Sequence, residues 1–343
     1  MYSEPVNPWI RLPILERARH GPNAVVVNDV TLREGEQSEG VAFSLEKKIE
    51  LAAALERAGV TQIQVGYPGR FERDRQATGA VADSVSVSSV EAVALAFVDD
   101  WEAEIDACIA SGADVITVVY RSSERLQNLL GVSPAQGLER ARAAVARAAA
   151  SDCLVAFLPS DSTRADPRYI DELWRAAAGA GASRVYVADS MGAATPELIA
   201  LLVGRARKMT RLPVGVHCHN DFGLAVANTL AGVNAGAEII DVAVNGLGDR
   251  AGNAPLEEVV SALELLYGIE TQIALSALTE LSERFAAAAG RPLPPNKPIS
   301  GQSVFVHTLP THQSAMKADS RAIQAFEPEL VGNTQRLERR LDA

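Results

Sequence analysis

Short β-branched apolar runs alternate along this chain with longer runs whose apolar positions recur at helical spacing. The short runs Val25–Asn28, Thr61–Val65, Val93–Phe97, Asp114–Val119, Leu154–Leu158, Arg184–Ala188, Pro213–His217 and Ile239–Val244 read as strands. The segments Leu45–Ala58, Phe71–Ala82, Trp101–Ala110, Pro134–Ala149, Pro167–Ala178, Pro196–Lys208, Leu224–Ala235 and Pro255–Leu266 read as helices. Several helices close on a small-residue turn, Ala58-Gly59, Ser111-Gly112, Ala180-Gly181 and Ala235-Gly236, where glycine suits the left-handed position after a helix. Strict strand–helix alternation implies right-handed parallel crossovers. Eight such units predict an α/β fold, a closed (β/α)8 barrel over 25–268, rather than an open doubly wound sheet. The lack of a G-x-G-x-x-G after the first strand weighs against a dinucleotide fold.

Outside that span the pattern changes. Residues 1–24 are polar and Pro-containing and read as an N-terminal arm, without the apolar core of a signal peptide. Residues 269–343 read as a C-terminal helical extension. In it, Ile273–Ala289 is expected to be one amphipathic helix, Gly290–Pro295 a linker, and the remainder a polar tail carrying His307 and His312. Such a linker can carry the tail away from its own barrel.

Composition narrows the partners. The 32 basic and 43 acidic residues give a net charge of −11, which argues against nonspecific binding to nucleic acid or an anionic membrane. No apolar run reaches membrane-spanning length. Three scattered cysteines, Cys108, Cys153 and Cys218, form no disulfide framework and suit a reducing cytoplasm.

The chemistry gathers at strand ends. His217 and His219 stand two apart on an extended segment, so both imidazoles face the same way. They close the seventh strand, at the barrel end that carries catalytic groups. After the first strand comes Asp29-Val-Thr-Leu-Arg-Glu-Gly-Glu-Gln37. There Arg33 offers a guanidinium fork for an oxyanion, and the neighbouring carboxylate offers an oxygen ligand to a two-histidine site. Two imidazoles and a carboxylate leave open positions on a metal for a chelating substrate. After the eighth strand, Asn245-Gly-Leu-Gly-Asp-Arg-Ala-Gly-Asn253 is rich enough in glycine to let backbone approach a ligand closely.

These three segments, with Phe326-Glu-Pro-Glu-Leu-Val-Gly332 in the tail, resemble the signature segments of the 2-isopropylmalate and homocitrate synthase family. The resemblance implies a metal-dependent TIM barrel that condenses an acyl-CoA, acetyl-CoA in the first instance, with a 2-oxo acid to give a 2-hydroxy dicarboxylate and CoA. It implies that Glu34, His217 and His219 hold a divalent Zn, Mn or Mg ion with Asn253 at or near its coordination sphere. It implies further that Arg33 polarises the keto oxygen, and that Gln37, Gln64 and Ser190 face substrate. His312 matches a tail histidine that acts in acid–base chemistry from a partner subunit, so a homodimer is expected.

The chain departs from that pattern at several places. Gln64 stands where the family has Glu, Ala156 where it has Glu or Arg, Ser160 where it has Glu, and Ser190 where it has Thr. The tail motif is altered to His307-Thr-Leu-Pro-Thr-His312, and Ile323 replaces a tyrosine. The changes fall on substrate-facing and acid–base positions, while the metal set is intact. The absence of Arg at Ala156 argues against binding 2-oxoglutarate in the homocitrate manner, and an unusual substrate is expected. A large regulatory domain is not expected after Val331-Gly332. Two alternatives stay open: a lyase or aldolase of the same superfamily, and an inactive homologue serving as a partner. The related lyases carry a cysteine in the glycine-rich loop, and Gly246–Gly252 has none.

Overall fold

In the computed structural model, which describes residues 21–338, eight parallel strands close into a barrel in sequence order. The strands are β1 (Val26–Asp29), β2 (Gln62–Gly66), β3 (Ser89–Leu95), β4 (Val115–Arg121), β5 (Leu154–Ser160), β6 (Arg184–Asp189), β7 (Val214–Cys218) and β8 (Ile239–Val242). Closure is carried by β1, which pairs with β2 on one side and with β8 on the other. Each strand feeds helix on the outside. β1 leads to the single turn α1 (Thr31–Glu34) and then α2 (Leu45–Arg57); β2 to α3 (Glu72–Ser84); β3 to α4 (Trp101–Ala110). β4 leads to α5 (Glu124–Asn128) and α6 (Pro134–Ala148), and β5, β6, β7 and β8 to α7 (Pro167–Gly179), α8 (Pro196–Thr210), α9 (Ala225–Asn234) and α10 (Leu256–Ala262).

The local reasons are visible in the sequence. Helices α6, α7 and α8 each begin on proline, whose fixed φ suits the first helical turn. Each is preceded by Ser133, Asp166 or Thr195, whose side-chain oxygen accepts a backbone N–H of that turn, a cap that contributes about 1 kcal/mol. Gly59 and Gly236, with φ of 95° and 108°, turn the chain from helix into the next strand.

Strand alternation sorts side chains into two cores. On β5, Val155 and Phe157 face the helices, while Ala156 and Leu158 face the barrel interior with Tyr186, Ala188 and Ile239. Around the rest of the barrel many inward positions are polar: Gln62, Gln64, Glu91, Thr117, Arg184, His217 and Asp241 are all buried.

The structure changes some of the expected boundaries. β3 begins at Ser89, four residues before Val93, and ends at Leu95, two before Phe97, because the inward-facing Glu91 and the preceding serines hide its start in the hydropathy pattern. β8 stops at Val242, and the chain then makes a tight turn with Asn245 at φ 61°. The single helix expected over Ile273–Ala289 is instead a short 3-10 turn, Leu275–Ala277, followed by α11 (Leu278–Ala288). Its first residues are drawn out of helical geometry: Gln272 takes the left-handed φ of 64°, and the Ala274 N–H donates to the Ala58 carbonyl at 2.8 Å.

The tail is not purely helical. On either side of α12 (Pro310–Ala318), β9 (Val306–His307) pairs in parallel with β10 (Arg336–Leu337). The Phe326–Gly332 segment docks on α11, where the Thr279 hydroxyl donates to the Val331 carbonyl at 2.7 Å. Most of the expected N-terminal arm, residues 1–20, lies outside the described residues, as do residues 339–343. No helix among the described residues is long and apolar enough to cross a membrane.

Candidate active site

The site is assembled where β1, β7 and β8 end. Asp29 closes β1 and caps the turn that follows, accepting the Thr31 backbone N–H at 3.0 Å and the Thr31 hydroxyl at 2.8 Å. That one-turn helix places Arg33 and Glu34 over the barrel mouth, both buried. From β7, alternation turns Val216 and Cys218 outward to the helices and leaves His217 and His219 facing inward. His217 Nε2 lies 4.0 Å from Glu34 Oε1, and His219 Nε2 lies 3.7 Å from Glu34 Oε2. One donor atom from each of the three residues falls within 4.8 Å of the others.

Whether these residues suit a cation is tested by their unmet hydrogen bonds. Glu34 Oε2, both ring nitrogens of His219 and Asn253 Oδ1 are buried without a partner. Buried polar atoms are normally paired, and each left unpaired costs about 1–3 kcal/mol. Four such atoms in one spot are what a ligand set looks like before its cation. His217 supports the same reading. Its Nδ1 lies 3.0 Å from Asp241 Oδ2, and the other Asp241 oxygen accepts the Asn28 amide at 2.8 Å. A carboxylate at Nδ1 fixes the proton there and leaves Nε2 as a lone-pair donor. Burial alone would lift the Glu34 carboxyl, but the adjacent Arg33 guanidinium holds it well below the usual carboxylate range. Glu34 is therefore an anion here, as a metal ligand must be.

Arg33 is held from three directions. It pairs with Glu34, donates to the Tyr67 hydroxyl at 3.0 Å, and gives its Nε–H to Gln64 Oε1 at 2.5 Å. The cavity in front of it measures about 200 Å³. Arg33, Glu34, His217 and His219 share its lining with Gln37 and Ser190, and with the apolar Leu95, Phe97, Val119 and Leu158. Gln37 is exposed and reaches Tyr67 at 3.4 Å; the Ser190 hydroxyl accepts the Asp161 backbone N–H at 2.8 Å.

Two expected residues sit elsewhere. Gln64 is fully buried beneath Arg33 and does not line the cavity. Its carbonyl takes Arg33, and its amide donates to Glu91 Oε1 at 2.5 Å. His312 is exposed on α12 and does not line this cavity within its own chain. Asn253 stands beside His219 through an antiparallel bridge, its amide donating to the Leu247 carbonyl at 3.2 Å.

The glycines of the β8 loop serve the loop itself. A Cβ on Gly252 would lie 1.9 Å from the Gly246 carbonyl oxygen, and one on Gly248 would lie 2.0 Å from the Asn253 amide nitrogen. The close approach they permit is of the loop to its own backbone and to Asn253. A larger cavity of about 470 Å³ lies beyond Asn253 toward Arg291–Lys297. Among its cations, Arg250 is matched by Asp221 and Asp249, and Lys297 by Glu257 and Glu258.

Sequence reasoning missed Asp241, Glu91 and Arg184. Glu91 accepts from Gln62, Gln64 and Thr117, and lies 3.4 Å from Arg184 Nη2. The available signal was a lone charge in an apolar strand, as in Ile239-Ile-Asp-Val242. Such a residue is costly to bury unless it is paired or functional.

Comparison with known proteins gives the family. The HMGL-like family model matches residues 24–284. The chain belongs to the HMGL-like family. It is 38% identical over 331 residues to homocitrate synthase AksA of Methanopyrus kandleri, covering 96% of this chain and 82% of that one. It is 36% identical over 318 residues to 2-isopropylmalate synthase of Solidesulfovibrio magneticus, and 35% over 314 residues to (R)-citramalate synthase CimA of Methanocaldococcus jannaschii. These matches cover 90% and 91% of this chain but only 62% and 63% of those relatives. Among solved structures, hydroxymethylglutaryl-CoA lyase of Pseudomonas aeruginosa superposes with a TM-score of 0.69 at 24% identity, over 79% of this chain and 95% of that one. This likeness concerns the fold.

Proposed function

We propose that this HMGL-like enzyme is an acyltransferase that condenses an acyl-CoA, acetyl-CoA in the first instance, with a 2-oxo acid in a metal-dependent Claisen-type reaction. The products are a 2-hydroxy dicarboxylate and CoA. The observation that carries the reading is the buried donor set of Glu34, His217 and His219, with Glu34 Oε2 and both His219 ring nitrogens unpartnered, beside a three-point-anchored Arg33. The homocitrate, 2-isopropylmalate and citramalate synthases among its relatives support it.

Glu34, His217 and His219, with Asn253 alongside, would hold a Zn, Mn or Mg ion, which when bound supplies Lewis-acid stabilisation of oxyanion charge. Arg33 presents its guanidinium to the oxygen that becomes an alkoxide as the keto carbon is attacked. Because Gln64, Tyr67 and Glu34 already fix its fork, little reorganisation is needed as charge develops. Removal of a proton from the carbon next to the thioester gives the enolate. Its carbon bonds to the keto carbon, and water then cleaves the thioester to release the CoA thiol. Asp241 keeps the His217 proton on Nδ1 throughout. His312, exposed on α12, is assigned to acid–base chemistry in the barrel of a second copy. The free thiols of Cys108, Cys153 and Cys218 fit a reducing cytoplasm.

A panel of acyl-CoAs and 2-oxo acids, read by free thiol release with and without added metal, tests the reading. It expects metal-dependent release that requires both substrates. Release from a 3-hydroxyacyl-CoA alone, or no release from any pair, contradicts it. Mixing His312→Ala chains with His217→Ala chains tests the tail in trans: mixed dimers should regain part of the activity lost by each.

A further inference from the structure

The cavity that holds Arg33 and the metal-ligand candidates carries one more cation, on the far side of the barrel. Glu34, His217 and His219 come from β1 and β7, the neighbours of β8. In a closed ring of eight strands, the strand opposite β8 is β4. Arg121 is the last residue of β4, and it lines the same 200 Å³ cavity. Along β4, Ile116, Val118 and Tyr120 face the helices, while Val115 and Val119 face inward. Arg121 continues the inward series at the mouth.

Three features set Arg121 apart from an ordinary surface arginine. Its guanidinium carbon stands 4.3 Å from the centroid of the Phe97 ring, which also lines the cavity, so the side chain is laid on an apolar wall. The strand end that carries it is pinned, because the Gln127 amide donates to the Arg121 carbonyl at 2.7 Å. No carboxylate among the described residues lies within ion-pair distance of it, whereas Arg33 in the same cavity is matched by Glu34. In a chain with a net charge of −11, a half-buried cation held without an anion is a binding group awaiting one.

Besides the hydroxyls of Tyr67, Ser160 and Ser190 and the amide of Gln37, the lining carries the aliphatic Leu95, Val119 and Leu158. On β5 the inward position below, Ala156, packs with Tyr186 and Ala188 and has no charge to offer. The lining thus reads as an oxyanion-binding head at Arg33 and the metal-ligand candidates, an aliphatic waist, and a cationic end at Arg121.

We propose that Arg121 binds a second carboxylate of the 2-oxo acid, so that the preferred substrate is a 2-oxo dicarboxylate with a short methylene chain. This rests on the condensation reading above and revises its product: with such an acid, hydrolysis of the thioester leaves a 2-hydroxy tricarboxylate in place of the dicarboxylate. The arginine that would read the distal carboxylate comes from β4, and the absence of a cation at Ala156 then does not exclude such acids. A phosphate of the acyl-CoA presents the same anionic chemistry, and the arms of the test separate the two.

The experiment compares the wild type with Arg121→Leu and Arg121→Lys. Thiol release is measured with acetyl-CoA and either 2-oxoglutarate or 2-oxoisovalerate. Calorimetric titration of each acid, and of CoA alone, is run in the presence of Mn. The wild type should favour the dicarboxylate, and in Arg121→Leu the ratio of dicarboxylate to monocarboxylate kcat/KM should fall by at least about 30-fold, because a charged partner is lost from a partly desolvated site. Arg121→Lys should recover part of that ratio, keeping charge without the fork. The titration should show the same loss for 2-oxoglutarate and none for CoA. A ratio unmoved by Arg121→Leu, a wild type that binds the two acids alike or binds neither, or a loss confined to CoA overturns the proposal. If no acid pair releases thiol but the titration still discriminates through Arg121, the condensation reading fails and the carboxylate site stands.

Discussion

Two buried glutamates in one barrel have opposite fates. Glu91, on β3, accepts from Gln62, Gln64 and Thr117 and faces Arg184 across the interior. Burial lifts its carboxyl above the usual range, against the pull of Arg184. Glu34, after β1, has one oxygen on Arg33 and the other on nothing, and its carboxyl is held low. A carboxylate whose lone pairs are filled by protein is a girder. One left half empty beside two imidazoles is available to a ligand. The lower layer thus holds the shape that the upper layer uses, and Gln64 joins them, with its carbonyl on Arg33 and its amide on Glu91.

The sharpest way to break this contrast is to remove a group from the upper layer. His217→Ala or His219→Ala should lower metal-dependent thiol release by at least about 10³-fold while thermal melts show a folded chain. Near-normal release would place these histidines outside the chemistry. Next in size, Arg33→Lys keeps the charge but loses the fork, and turnover should drop by about 10²–10³-fold with the fold intact.

The lower layer should respond in stability first. Gln64→Glu sets a second carboxylate against Glu91 and should cost about 2–4 kcal/mol in urea unfolding. Glu91→Gln added to it should recover at least half, since the two sites touch. Equal loss in the double variant would show that the pair does not interact.

The smallest effect concerns pH. Burial pushes the Asp29 carboxyl up to about 7, from 3.8 when exposed. Between those values the unfolded chain has released a proton that the folded chain retains. The stabilising contribution is therefore full below about pH 4 and is lost as pH rises through about 7. Asp29→Asn should flatten the fall in unfolding free energy between pH 5 and 8 by roughly 1–3 kcal/mol, and a parallel profile would refute the assignment.

Much of this architecture was legible in the sequence because its causes are local. Proline at the start of α6, α7 and α8, and glycine after α2 and α9, mark boundaries within a few residues of the chain. His217 and His219 were legible because strand periodicity alone puts them on one face. The lower layer was not. Glu91 and Arg184 are 93 residues apart in sequence, on β3 and β6, and meet only because the barrel closes. Asp241 lies unremarked inside the expected strand Ile239–Val244, and its role shows only where His217 Nδ1 rests against it. α11 starts later than its periodicity predicts because the Ala274 N–H is held by the Ala58 carbonyl at α2's end, a contact that no helical periodicity reveals.

Metal content decides the central claim most directly. Wild-type chain and the His217→Ala/His219→Ala double variant are each equilibrated with Mn or Zn, passed through a desalting column, and assayed for bound metal by mass spectrometry. Wild type should retain about one ion per chain and the double variant almost none, because one carboxylate cannot hold the ion alone. Equal retention by the two proteins would contradict the assignment of Glu34, His217 and His219 as the metal centre.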